Sequence, residues 1–230
     1  MVGYLDLLGG KSLICQDSED HYLNIVHTCY QMAKEMVKFD SSFAAFPHSV
    51  KIFSDNIIVA IPSEVTMRND NHPIFAINRM SAIMQALQRV LLKYDILSRG
   101  SIAYGKLYID DLMVWGEALI KAYELESNYA KYPRVIVQNR LICFLEKLWL
   151  DEPDMILWAN HSKKDADGEF FLDYLNFPKD ENSRNLVVTS LQTIKSKIKN
   201  ENDEKILEKL QWHKNYLSSL LDSWKIGIED

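Results

Sequence analysis

Two acidic residues, Asp6 and Asp55, each lie inside a short apolar segment. Asp6 is in VGYLDLLGG, and Asp55 is in VKIFSDNIIVAI, where it stands between Ser54 and Asn56. β-Branched and aromatic residues are typical of buried strands, whereas Ser, Asp and Asn favour tight turns. We therefore expect Asp6 near the end of a strand and Asp55 in the turn of a hairpin, both at the rim of a sheet.

If those two strands are neighbours, the carboxylates of Asp6 and Asp55 face each other. Two such charges at ~4 Å, with an effective dielectric constant of about 20, repel by about 4 kcal/mol. A divalent cation between them removes the repulsion, and hard carboxylate oxygens suit Mg²⁺ or Mn²⁺. With few protein ligands, such a site leaves positions for phosphate oxygens, and two bridged ions can organise in-line attack on phosphorus. The alternative is a plain hairpin turn with an exposed Asp55.

A third candidate for this chemistry is Arg99, which begins the segment RGSIAYG. The adjacent glycine leaves space around the arginine side chain. A guanidinium can form two parallel hydrogen bonds to a terminal phosphate and balance the charge of a leaving group. The alternative is a surface arginine at the start of a strand.

The composition is that of an ordinary globular protein, and it limits the partners. The chain has 230 residues, of which 47% are apolar, and a net charge of −6. A nucleic-acid backbone would call for a basic surface, so we expect no nucleic-acid partner, although a nucleotide bound with a cation remains compatible. Three cysteines without a CxxC motif indicate reduced core thiols in the cytoplasm, and no apolar stretch has transmembrane length.

Hydrophobic periodicity predicts an α/β (α+β) domain with one sheet and its helices on one face. The predicted order for the core, residues 1–150, is β, α, β-hairpin, α, β, α, β. Its strands are predicted at 2–8, 50–61, 98–108 and 134–137, and its helices at 20–39, 73–93, 114–131 and 141–150. Residues 151–230 form a predicted extension that closes the core or packs against a second subunit. Its strands are predicted at 156–160 and 169–174, and its helices at 186–198 and 203–224.

Four segments in this order resemble the catalytic domain of class III nucleotide cyclases over roughly residues 2–137. They are YLDLLGG, KIFSDNIIVAI, RGSIAYGKL and VWGEALIKAYELE. The resemblance implies a ferredoxin-like βαββαβ core. It also implies that VWGEALIKAYELE contains a dimerisation arm followed by a helix, and that the active site lies between two subunits of a homodimer.

The resemblance also implies roles for individual residues. Asp6 and Asp55 would bind two Mn²⁺ or Mg²⁺ ions, Leu7 would offer its backbone carbonyl to one of them, and Arg99 would hold the triphosphate. Lys51 falls where the family places a lysine that reads the base. The other residues that we expect around the substrate are Tyr4, Ser49, Phe53, Tyr104 and Met113.

Three positions depart from the purine cyclases. Ile120 and Glu124 stand where that family has an asparagine for the ribose and an arginine for the transition state, and Met113 stands where many adenylyl cyclases read the base with an aspartate. Either the protein is inactive, or it uses a different base in a rearranged pocket. Tyr123 and Arg134 are candidate replacements for the missing transition-state residues.

The chain is most similar to bacterial pyrimidine cyclases of the Pycsar anti-phage system. Three features carry this resemblance: the WGEALIKAYELES segment, the Trp-bearing C-terminal extension and the expectation that no sensor domain precedes the first strand. Membership would imply conversion of UTP, or as second choice CTP, to cyclic UMP or cyclic CMP and pyrophosphate. The product would activate a separate effector. The alternatives are an adenylyl or guanylyl cyclase with an atypical pocket, and a catalytically silent module that binds nucleotide.

The remaining polar residues are predicted to have no role in a site. The six histidines show no metal-binding spacing and are expected on surfaces or helix faces. Asp110 and Asp111 are expected to cap a turn. Lysines 163–164 and those within 195–199 are expected on solvated faces, too sparse for membrane or RNA binding.

Overall fold

A computed structural model describes residues 1–36, 49–62, 73–151, 162–175 and 180–224. Within these residues a mixed sheet of seven strands has the order β2-β3-β1-β4-β7-β9-β8. All pairings are antiparallel except that of β4 with β7. The strands are β1 (Val2–Leu7), β2 (Ser49–Phe53), β3 (Asn56–Ala60), β4 (Ser98–Ala103), β7 (Val135–Val137), β8 (Ser162–Lys164) and β9 (Phe170–Leu172). A separate hairpin consists of β5 (Tyr108–Ile109) and β6 (Val114–Trp115).

Seven helices accompany these strands in the described part of the chain. They are α1 (Gly10–Gln16), α2 (His21–Met36), α3 (Pro73–Lys93), α4 (Glu117–Tyr129), α5 (Asn139–Asp151), α6 (Glu181–Asn200) and α7 (Glu204–Ser223). The last two begin at aspartate caps: Asp180 accepts a hydrogen bond from the backbone N–H of Ser183, and Asp203 accepts from those of Lys205 and Ile206. None of the described helices is long and apolar enough to cross a bilayer.

The mixed α/β class is confirmed, but the prediction that all helices lie on one face is wrong. Successive residues of a strand point to opposite faces. Leu5 belongs to the core shared with α2, α3 and α5, whereas Tyr4 packs with Ala118 and Ala122 of α4. The small alanine side chains let α4 approach the second face of the sheet closely. Strand β3 carries buried apolar residues on both faces, as expected for a strand covered on both sides.

The extension joins the sheet of the core directly. Strand β9 pairs with β7, with Phe171 opposite Ile136. Both side chains belong to an apolar cluster with α6 and α7, on the face opposite to Val135 and Val137. Strands β8 and β9 therefore continue the sheet beyond β7, while α6 and α7 cover that end of it.

Some predicted boundaries differ from the structure. The predicted helix 114–131 begins only at Glu117, because Val114 and Trp115 pair in the β5–β6 hairpin. The predicted strand 98–108 ends at Ala103. Helix α1 was not predicted, and the predicted strand 156–160 lies outside the described residues.

Candidate active site

The register of β1 brings the predicted charged residues to one end of the sheet. Asp6 is directly opposite Asn56 of β3 on one side and Arg99 of β4 on the other. Asp55 immediately precedes Asn56, and its backbone carbonyl accepts a hydrogen bond from the N–H of Leu7 at 3.2 Å. The two acids and the arginine that the sequence singled out are therefore neighbours.

Asp55 is held by a tight turn and by a glycine. Ser54 has the left-handed φ of 53°, and the turn leaves Phe53 paired with Asn56. The Nδ2 of Asn56 donates to Asp55 Oδ1 at 3.0 Å. A Cβ atom placed on Gly10 would lie 2.0 Å from Asp55 Oδ2, so only glycine fits beside this carboxylate. The hairpin predicted around Asp55 is confirmed.

The charge at Asp6 is only partly compensated. Burial raises the pKa of Asp6 above its ordinary value and the charge of Asp55 adds to this, while Arg99 and Lys209 act in the opposite direction. The net direction is upward even though Arg99 Nε lies 3.2 Å from Asp6 Oδ2. Two carboxylates, Asp6 and Asp55, thus lie beside one arginine, and burial is the main cause of the raised pKa of Asp6.

Arg99 contacts a second carboxylate that sequence analysis missed. Its Nε lies 2.7 Å from Oε1 of Glu126 on α4, and the side chain of Glu126 is 3% exposed. Arg99 Nη1 also donates weakly to the backbone carbonyl of Ala130 at 3.5 Å. Burial raises the pKa of Glu126, against the opposing effects of Arg99 and of a hydrogen bond from Ser127.

Tyr4 lies two residues before Asp6 in β1, so both side chains are on the same face of the sheet. Its hydroxyl donates a short hydrogen bond to Oδ1 of Asn56, and its ring meets Tyr123 edge-on at 5.9 Å. Burial, followed by the charges of Glu126 and Asp6, raises the pKa of the Tyr4 hydroxyl. Tyr4 thus links the turn that carries Asp55 to α4.

The donor set of this site fits a hard divalent cation with open coordination positions. Asp6 and Asp55 provide carboxylate oxygens, and their mutual repulsion contributes to the raised pKa of Asp6. Among the described residues there is no group of three or more His, Cys, Asp or Glu that could hold a metal ion. Two carboxylates without a third side-chain ligand suit an ion that shares its shell with phosphates.

Other predicted substrate residues lie farther along the sheet. Tyr104 follows Ala103, which is opposite Val2, whereas Arg99 is opposite Asp6. At about 3.3 Å per residue, Tyr104 is ~16 Å from Arg99 along β4. It lines a cavity of about 270 Å³ with Met1, Ile77, Arg140, Leu141, Phe144 and Leu145. Within one protomer Tyr104 therefore lies away from the acids, and its place in a base pocket stays a prediction.

Ser49, Lys51 and Met113 form no contact with the acids of their own protomer in the described structure. Ser49 is opposite Ala60 at the far end of β3, and Lys51 is opposite Ile58. Lys51 lies close enough to Asp110 for its charge to lower the pKa of Asp110, after the effects of hydrogen bonds from Tyr108 and Met113. These candidate base readers therefore lie towards the β2 edge and the β5–β6 hairpin.

The same region exposes a group of large apolar side chains, which we call the arm surface. Leu112 is 90% exposed and Trp115 72%. The other members are Phe53, Tyr108, Met113, Ile120 and Tyr123. Asp110 accepts hydrogen bonds from the backbone N–H groups of Leu112 and Met113, which confirms that it caps the turn.

The two candidate replacements for the transition-state residues, Arg134 and Tyr123, have very different surroundings in the described structure. Arg134 is fully buried and pairs with Asp165 and Asp167, at the turn between β8 and β9. Its guanidinium also lies over the ring of Trp212, 5.8 Å from the ring centroid. Tyr123 is exposed on the arm surface but packs its ring against Tyr4.

The structure corrects the prediction for His213 and adds a partner for Lys163. His213 is fully buried, its Nε2 is 2.7 Å from the Tyr174 hydroxyl, and burial lowers its pKa to about 3. Lys163 keeps 42% exposure of its side chain, as predicted, but pairs at 2.9 Å with Asp173, which is 2% exposed. His21 and His27 are exposed as predicted, and His48, His72 and His161 lie outside the described residues.

Two residues that bear on the site gave only weak sequence signals. Glu126 recurs on the face of α4 that carries Ala118 and Ala122, a spacing of i, i+4, i+8, so its burial could have been anticipated. Lys209 lies on α7, far along the chain, and influences Asp6 only because the extension folds over this face of the sheet.

No family model matches the sequence, and no curated protein matches it significantly.

Proposed function

We propose that this protein is a class III-like nucleotide cyclase that acts on a pyrimidine nucleoside triphosphate, UTP or CTP, and releases the cyclic 3′,5′-monophosphate and pyrophosphate. The observation that carries the proposal is the meeting of Asp6, Asp55 and Arg99 at one end of the sheet, from three segments of the chain. A surplus of carboxylates beside one arginine suits a substrate that brings phosphates and divalent cations together.

In the proposed reaction, the ribose 3′-oxygen bonds to the α-phosphorus, and the bond from that phosphorus to the β-bridging oxygen breaks. The hydroxyl proton passes to solvent. Asp6, Asp55 and the carbonyl of Leu7 would hold Mn²⁺ or Mg²⁺, which when bound lowers the pKa of the hydroxyl and neutralises phosphate charge. Arg99 forms charge-assisted hydrogen bonds to the phosphates, and Lys209 adds a second positive charge on the same face.

A homodimer is part of the proposal, because one protomer separates the acids from the candidate base readers. Lys51 lies on β2, two strands away from Asp6, and the arm surface exposes large apolar side chains of the kind that a partner covers. A second copy would bring its Lys51, Ser49 and Met113 to the acids of the first. The proposal also includes a biological role. The protein would act in the cytoplasm, and its cyclic nucleotide would activate a separate effector in anti-phage defence.

The test is to incubate the purified protein with each of the four nucleoside triphosphates and Mn²⁺ and to resolve the products by mass. Cyclic UMP or cyclic CMP supports the proposal. Cyclic AMP or cyclic GMP would instead indicate an atypical purine cyclase. If the protein binds nucleotide but turns over none of the four, the site is a silent binding module.

A further inference from the structure

Arg99 is shared between two carboxylates in an unequal way. Its Nε donates a hydrogen bond to Asp6 Oδ2 at 3.2 Å. Oε1 of Glu126 lies closer, at 2.7 Å, but accepts no hydrogen bond from the described residues. The single N–H of Arg99 Nε is thus used by Asp6, while the buried Oε1 of Glu126 lies beside it without a hydrogen bond.

A buried carboxylate oxygen that accepts no hydrogen bond is uncommon in proteins and needs an explanation. Glu126 is 2% exposed, and only its Oε2 receives a hydrogen bond, from the hydroxyl of Ser127 at 2.9 Å. A small rotation of the Arg99 guanidinium would transfer the N–H from Asp6 to Glu126 Oε1. The arginine therefore has two anchoring partners within reach of one N–H.

The partner that Arg99 holds is also the carboxylate proposed to bind cations. A cation held by Asp6 would bring positive charge to the carboxylate that Arg99 contacts, so the two would compete for it. If Asp6 were the sole anchor, Arg99 would be freed and lose its fixed orientation just when the triphosphate arrives. A second carboxylate avoids this loss, because a guanidinium held through Nε still presents its two terminal nitrogens.

We propose that Glu126 is the positioning residue of Arg99: it takes over the Nε–H when Asp6 binds a cation, and so keeps the guanidinium fixed for the triphosphate. The inference rests on the proposed function and goes beyond it by assigning a residue and an exchange of partners. Among the described residues, Nη2 of Arg99 has no hydrogen bond or ion pair and Nη1 has only the 3.5 Å contact to Ala130. Both are available to phosphate oxygens.

The first test needs no nucleotide. In the full-length chain labelled with ¹⁵N at arginine Nε, the Arg99 resonance is identified by its loss in Arg99→Gln, and Mg²⁺ alone is titrated. We expect the resonance to shift and stay sharp in the wild type, and to broaden with Mg²⁺ in Glu126→Gln. A resonance that Mg²⁺ leaves unmoved, or that responds identically in Glu126→Gln, overturns the inference.

The second test is a double-mutant cycle on nucleotide turnover. Glu126→Gln should lower kcat/KM roughly 10- to 100-fold, since a misplaced group costs this much. Adding Glu126→Gln to Arg99→Gln should cause no further loss, because Glu126 acts through Arg99. Glu146→Gln, an exposed helix residue with the same charge change, should stay within about twofold of wild type. Effects that multiply in the double variant would indicate a merely structural role.

The two tests separate the inference from the proposed function. A Mg²⁺-dependent shift of Arg99 without turnover of any nucleotide overturns the proposed function and supports the exchange. Turnover with an unmoved Arg99 resonance overturns the exchange alone, and the absence of both overturns both.

Discussion

Arg99 and Arg134 each meet two carboxylates, yet the pKa of Asp6 beside Arg99 and that of Asp167 beside Arg134 move in opposite directions. Beside Arg134, the pKa of Asp167 is lowered: partial burial raises it, but hydrogen bonds from Arg134 and from the backbone N–H of Glu169 outweigh this. Beside Arg99, the pKa of Asp6 is raised, because burial and the charge of Asp55 outweigh the arginine. The same pair of residue types therefore gives a compensated cluster in one place and an uncompensated one in the other.

The difference follows from where the burial falls. Arg134 is fully buried, while Asp165 and Asp167 retain 17% and 39% exposure of their side chains. At the candidate site Glu126 is the most buried partner at 3% exposure, whereas Asp6 at 20% is close to Arg99 at 25%. A buried cation served by surface acids fastens the extension to the core. Buried acids with one half-exposed cation leave a need for further positive charge, which a ligand can bring.

The largest effect should come from removing charge at the candidate site. Asp55→Asn should lower nucleotide turnover by roughly 1,000-fold, because a proposed metal ligand loses its charge. The fold should stay intact, as Asn keeps the shape of the residue that packs on Gly10. Turnover is measured by mass and folding by thermal unfolding. Asp222→Asn, exposed at the end of α7, is the control; an Asp55 variant as active as this control would refute the metal assignment.

The matching change in the other cluster should act on stability instead. Arg134→Met should lower the free energy of unfolding by about 3 kcal/mol, because it leaves Asp165 and Asp167 without their cation. Urea denaturation measures this loss. Nucleotide affinity of the folded fraction should stay within about twofold of wild type. A large loss of affinity at unchanged stability would show that the two clusters are not functionally distinct.

A smaller effect should appear on acidification, through His213 of the extension. Its pKa is about 3 in the folded chain, against an ordinary value of 6.5, because burial disfavours the charged ring. Between these values the unfolded chain binds a proton that the folded chain does not, so stability falls as the pH falls. The slope contributed is about 1.4 kcal/mol per pH unit. Urea denaturation at pH 6, 5 and 4 should show this slope in the wild type and not in His213→Gln.

The smallest effect concerns one hydrogen bond of the Arg134 cluster. Trp212 Nε1 donates to Asp165 Oδ2 at 2.8 Å, and its ring stacks on Tyr132 at 5.5 Å. Trp212→Phe removes the hydrogen bond and keeps much of the stacking. We expect a loss of about 1 kcal/mol in the free energy of unfolding, measured in urea. An unchanged free energy of unfolding would show that Arg134, Asp165 and Asp167 hold the extension to the core without help from Trp212.

The sequence was sufficient to predict the local features of the site. The strand with Asp6 and the hairpin with Asp55 were recognisable because turn residues interrupt two apolar segments. Their adjacency was a consequence of sheet register, which the structure provides and the pattern of residues does not. The position of Arg99 opposite Asp6 depends on the same register.

The interactions that the sequence could not predict join segments far apart in the chain. Arg134 pairs with acids 31 and 33 residues away in the chain. Asp173 accepts a hydrogen bond from the hydroxyl of Tyr216, 43 residues away. Buried pairs of this kind have no periodicity, since each partner alone resembles a surface residue. This is why Lys163 was predicted on a solvated face, although it pairs with buried Asp173.

The two outer strands of the sheet differ in how they would behave in a concentrated solution. Strand β8 has three residues, two of them lysines, and such short, charged borders resist pairing with a foreign strand. Strand β2 has five residues and exposes Ile52 and Phe53. Aggregation of an isolated protomer should therefore start at β2, and a lysine in place of Ile52 is the natural change for improving its handling.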